Sequence, residues 1–157
     1  MTPEFKAYAR QIVDNSRSLA AALVERGFAL SSGGSDNHLI LIDVTSKGLT
    51  GRQMAKALDA SGIVCNFNRV PFDSRPAMNP SGVRIGTPAI TSRGFGTDEM
   101  VQLAEWMDRV AQVRADDALD LDGRKSAYRE IAGQVRALCD RFKAPGLLYD
   151  GDGRAVG

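Results

Sequence analysis

Histidine and cysteine are almost missing from this chain: His38 is alone, and Cys65 and Cys139 lie far apart with no Cys-x-x-Cys pair. A zinc centre needs a cluster of such ligands, so no metal site is expected. Both cysteines sit on apolar stretches and read as reduced, buried thiols. No apolar run approaches membrane-spanning length, and the opening MTPEFKAYARQ lacks the apolar stretch of a signal peptide. A cytoplasmic protein without a membrane partner is the expectation. Charge of one sign is also lacking. The 20 Lys and Arg nearly balance 19 Asp and Glu, for a net charge of +1, and no basic block offers itself to nucleic acid.

What is present is ordinary: 157 residues, 43% hydrophobic and 25% charged, enough for one domain with a core of its own. Apolar spacing predicts a long amphipathic helix over 3–26, with Pro3 in its first turn and Gly27 as its stop. A short strand 28–31, a turn at 32–36 and a strand 38–44 follow. Thr50 is placed to cap a helix over 51–61, Gly62 ends it, and IVCNFN reads as a further strand. The segment 66–80, NFNRVPFDSRPAMNP, reads as an irregular loop of a length that is uncommon unless functional. A strand 82–86, a helix opening at Gly96 and Thr97, and a last helix over 125–142 complete the reading. Four helices against a small, mostly antiparallel sheet make an α+β two-layer domain over 1–142. Residues 143–157 read as a flexible tail.

The stretch SGVRIGTPAITSRG (81–94) holds the least expected residue. Arg84 alternates with Val83 and Ile85 between two glycines, and no carboxylate lies within ten residues of it on either side. A guanidinium is always charged, so a buried one requires an anion. That anion must come from far along the chain, from another chain, or from a ligand.

Four segments in order, PEFKAYARQIVDNSRSLAAALVERGF, SGGSDNHLILIDV, TGRQMAKALDASGIVCNFNRVPFD and SGVRIGTPAITSRGFG, resemble the C-terminal small domain of serine hydroxymethyltransferase. This family of fold-type-I pyridoxal-phosphate enzymes exchanges serine and glycine and passes a one-carbon unit to tetrahydrofolate. The resemblance implies that Arg84 holds the α-carboxylate of the amino acid, for which a planar fork offers two parallel charge-assisted bonds. It implies that Asn68 meets the folate pteridine, where a carboxamide both donates and accepts. Ser35, Asp36 and His38 of GGSDNH are expected to support the loop before the strand, and Arg93 to be structural. Phe67 departs from the family, which commonly has a basic residue there; Arg69 follows it and offers a charge in its place.

The resemblance covers about the last third of such an enzyme. None of Lys6, Lys47, Lys56, Lys125 and Lys143 stands in the Thr-Thr-His-Lys setting that carries the cofactor, and no phosphate-binding loop follows a parallel strand. The chain is therefore expected to be inactive alone and to bind neither pyridoxal phosphate nor tetrahydrofolate tightly. It is expected to work with a large cofactor-binding domain supplied by another polypeptide, as a homo-oligomer when complete. Two alternatives are a non-catalytic binding module derived from the fold, and part of a folate-independent aldolase or transaldolase relative.

Overall fold

The computed structural model describes residues 1–149 and 155–156. Helix α1 (Pro3–Glu25) starts at Thr2, whose hydroxyl accepts from the Phe5 amide, and stops at Gly27, where φ is +79°. Only its C-terminal half is fully covered: Leu19, Ala20, Ala22 and Leu23 enter the core, while residues 3–7 stay exposed. Strands β1 (Ala29–Leu30), β2 (Leu39–Asp43), β3 (Asn66–Asn68) and β4 (Gly82–Gly86) form one antiparallel sheet in the order β1-β2-β4-β3. A 3-10 turn, Val44–Lys47, leads from β2 towards α2 (Gly51–Ala60). There Thr50 and Gln53 cap each other reciprocally.

The side chains that alternate inward from the sheet, Ile40, Ile42, Val83 and Ile85, meet α1, α2 and α4 (Thr97–Ala115) in a single core with Met54, Leu58, Met100 and Met107. This two-layer α+β architecture is the expected one. Strands β1, β2 and β3 are shorter than expected and β4 has the expected bounds, and helices and strands otherwise begin and end within a few residues of expectation, with two exceptions. Helix α5 (Leu121–Arg141) begins four residues earlier than read, because Asp120 accepts from the Gly123 amide and turns the end of the acidic linker into a first helical turn. A five-residue helix, α3 (Pro88–Ser92), brings the α-helices to five among the described residues.

Tertiary bonds hold α3 in place. Asn15, fully buried on α1, donates to Thr91 Oγ1 and to the Phe95 carbonyl, both at 2.9 Å. Thr87 Oγ1 donates to the Ile12 carbonyl, and Tyr8 to that of Pro88. These bonds tie the exit of β4 to α1 and fix the end of the strand that carries Arg84. Within the tail, Leu148–Tyr149 pairs with Ala155–Val156 as strands β5 and β6. The remainder of the segment read as flexible, 150–154 and 157, lies outside the described residues.

Candidate functional site

Strand alternation sends Val83 and Ile85 into the core and Arg84 to the opposite, open face of the sheet. Arg84 lies between Leu41 on β2 and Asn66 on β3. Asn68 pairs with Gly82, which puts it on the same face one step along. Leu39, opposite Gly86, completes an apolar margin with Leu41. Among the described residues the Arg84 guanidinium has no ion pair and no hydrogen bond, and the Asn68 carboxamide likewise has none. The arginine is exposed rather than buried in this chain. Of the partners open to it, an acid elsewhere in the fold is not realised among the described residues.

The glycines beside Arg84 behave differently from a simple clearing for a ligand. A Cβ on Gly82 would stand 2.7 Å from Val70 Cγ1 and 2.9 Å from the Asn68 carbonyl oxygen. One on Gly51 would stand 2.0 Å from the Gly82 carbonyl oxygen. The Gly51 amide also donates to the Pro80 carbonyl at 2.7 Å. Room at Gly82 is thus taken by the protein, which presses the start of β4 against the first turn of α2.

Between β3 and β4, the loop is organised by Asp73. Its carboxylate accepts from the Ser81 amide and hydroxyl at 2.8 Å each, the Arg75 amide at 2.9 Å and the Val70 amide at 3.3 Å. These bonds, the Ser81 amide foremost, hold the carboxyl well below the usual carboxylate range against the opposing effect of burial. The Asp73 amide in turn donates to the Val70 carbonyl, and Arg69 donates to the Asp73 carbonyl at 2.7 Å. Arg69 is therefore engaged within the loop. Phe67 pairs with Val83 and lies on the face opposite Arg84 and Asn68, so the departure at this position leaves the open face unchanged.

The other singled-out residues lie elsewhere. Ser35 accepts from the Ser16 hydroxyl at 2.8 Å and bonds the Leu39 carbonyl at 2.9 Å, tying the turn to α1 and β2. Asp36 and His38 are exposed, without side-chain hydrogen bonds among the described residues; the His38 carbonyl accepts from the Thr87 amide. Arg93 donates from Nε to the Phe142 carbonyl and from Nη2 to that of Cys139, at 2.8 and 2.9 Å. It thereby satisfies the carboxyl-terminal end of α5.

Asp73 was not legible as a functional candidate, although it is the only acid between Asn66 and Gly82 and lies among turn residues. Phe72 is the other omission. It follows Pro71 where a turn closed by the next residue favours glycine or asparagine.

The described residues do not fit pyridoxal phosphate as a covalently held group. Lys47 is committed to Asp108 at 2.7 Å and to the Arg26 carbonyl, and Lys125 pairs with Asp122. Lys6 and Lys56 are exposed on helices, Lys143 lies beyond α5, and no lysine is on the strands of the open face. Among the described residues no cluster of His, Cys, Asp or Glu could hold a metal ion. No described helix is long and apolar enough to cross a membrane.

In class this is a small α+β domain with helices on one side of an antiparallel sheet and, on the other, a partly open face that carries Arg84 and Asp43. The serine hydroxymethyltransferase family model matches residues 1–107. Serine hydroxymethyltransferases of Desulfotalea psychrophila and Sorangium cellulosum are each 54% identical, over 94% and 91% of the chain. That of Acidothermus cellulolyticus is 52% identical over 94% of it. The chain belongs to the serine hydroxymethyltransferase family, and its likeness is to the C-terminal domain. It spans about a third of the length of these relatives, 33%, 32% and 34% respectively.

Proposed function

We propose that this chain is the substrate-binding lobe of a serine hydroxymethyltransferase that converts serine and tetrahydrofolate to glycine and methylenetetrahydrofolate. The observation that carries the reading is the Arg84 guanidinium, unpaired among the described residues, on the same open face as Asn68. Arg84 grips the α-carboxylate of serine or glycine through two parallel N–H donors and so fixes the orientation of the α-carbon. Asn68, its carboxamide uncommitted, meets the edge of the folate pteridine. Pyridoxal phosphate, carried by the remaining two thirds of the enzyme, supplies the electron sink for bond cleavage at that carbon. Arg93 stays outside the chemistry, since its bonded donors face the carbonyls of Cys139 and Phe142 at the end of α5.

On this reading the chain alone holds neither cofactor tightly and turns over no substrate. Its partner is the cofactor-binding domain, and the complete enzyme is a homo-oligomer. Two cysteines that are free thiols agree with a cytoplasmic setting. The reading is tested by titrating pyridoxal phosphate into the isolated chain and, separately, into a hybrid in which residues 1–149 replace the matching segment of the Desulfotalea psychrophila enzyme. The hybrid is expected to interconvert serine and glycine, and the isolated chain to form no borohydride-trappable bond to any one lysine. A hybrid that folds and loads cofactor but leaves serine unbound contradicts it.

A further inference from the structure

We propose that Phe72 is a preformed anchor by which this chain docks on the cofactor-bearing part of the enzyme. The proposal rests on the chain being one lobe of a larger protein and on the face of Arg84 and Asn68 being the site that the rest of that protein closes. Phe72 is fully exposed, and its φ of +58° is the only positive value at a non-glycine residue among the described residues. Side chains with a Cβ, bulky ones above all, rarely adopt that conformation. With Pro71 before it and the Asp73 amide bonded to the Val70 carbonyl at 3.1 Å, Phe72 occupies the turn position that asparagine or glycine suits.

The conformation is imposed from outside the residue. Asp73 gathers the amides of Val70, Arg75 and Ser81, so the turn cannot relax without breaking that cluster. Such strain persists where the surroundings over-determine it, and it gathers at functional positions. Here it serves to hold an aromatic ring out in solvent. The ring is also not alone: Met78, in the same loop, is exposed as well. Phenylalanine and methionine are enriched in the cores of protein interfaces.

The position of the loop selects the occupant. It joins the strand bearing Asn68 to the strand bearing Arg84, so the ring stands at the rim of the candidate site. A surface that closes that site lies next to this loop as well. About two thirds of the length of each of these relatives lies outside the part that this chain matches. The docking surface on that part is an apolar socket of aromatic and aliphatic side chains. A rigid ring entering it sacrifices little conformational freedom, because the turn is already fixed.

Two substitutions separate strain from contact. Phe72→Asn relieves the strain and removes the ring; Phe72→Ala keeps a Cβ in the strained position and removes only the ring. In the isolated chain, Phe72→Asn is expected to raise the thermal midpoint by about 2–4 °C, and Phe72→Ala to leave it nearly unchanged. In the full-length hybrid both should lower the midpoint, without tetrahydrofolate present, and expose the amides of residues 69–80 to faster hydrogen exchange. Hybrid midpoints that rise or stay level with either variant overturn the proposal. A decrease seen only with tetrahydrofolate bound assigns the ring to the ligand and overturns it as well. So does self-association of the isolated chain that Phe72→Ala abolishes, which would make a second copy the occupant.

Discussion

Asn68 and Arg84 lie diagonally across the β3–β4 ladder on one face of the sheet, because Asn66 pairs with Arg84 and Asn68 with Gly82. Diagonal neighbours of this kind are within roughly 7–8 Å, close enough for two side chains to touch one small ligand or adjacent parts of two. The two residues are 16 positions apart in sequence. The intervening loop returns the chain to its own sheet so that the pairing can form, and Asp73 fixes the shape of that return.

The Asp73 cluster makes loop stability dependent on pH. Its carboxyl titrates well below the usual carboxylate range in the folded chain, with the Ser81 amide the leading cause, and near about 4 when unfolded. A lowered folded value means that the stabilisation is complete above the unfolded value and is lost as pH falls towards the folded one. Parent and Asp73→Asn chains should therefore differ most in thermal midpoint near neutral pH, with the parent higher. That gap should narrow steadily below about pH 4, as melts at a series of pH values will measure. A gap that is constant across this range excludes the carboxylate as the clamp.

Gly51 and Gly82 approach too closely for a side chain at either position. Gly51→Ala would put its Cβ 2.0 Å from the Gly82 carbonyl oxygen, so backbone must move on one side or the other. Overpacking of this kind costs about 1–3 kcal/mol, sometimes more. Denaturant unfolding should report a loss in that range, whereas the same change at Gly133, with no atom within 4 Å of its Cβ, should be neutral or stabilising.

These relationships differ in how visible they are before folding. Helices α1 and α2 could be read because apolar spacing, a start signal and a stop coincide in each, as Thr50, Met54, Leu58 and Gly62 illustrate. Arg84 stood out because its strand, of only five residues, is otherwise apolar or glycine. Helix α3 had no such signal. Five residues contain too few turns for periodicity, and the bonds that hold it come from Asn15 and Ile12, far earlier in the chain. The departure at Phe67 looked consequential in sequence, yet the two-residue period of β3 turns it away from the face of Asn66 and Asn68. Phe72 and Asp73 were hidden for a further reason: their significance lies in a backbone angle and a set of amide bonds, neither of which composition reveals.

Serine affinity of the full-length hybrid, followed through the cofactor spectrum, tests the central claim most directly when Arg84→Lys, Arg84→Ala and Arg93→Lys are compared. Lysine keeps the charge at position 84 and loses the fork, leaving one movable bond to the carboxylate. A charged hydrogen bond is worth about 1.5–3 kcal/mol, or roughly a 10- to 150-fold weakening. Arg84→Ala should weaken binding further, and cofactor loading should be unchanged in all three. Arg93→Lys should loosen the end of α5, where two carbonyls lose the planar fork that bonds both, and leave serine affinity near that of the parent. Serine bound normally by Arg84→Lys and poorly by Arg93→Lys would contradict the account.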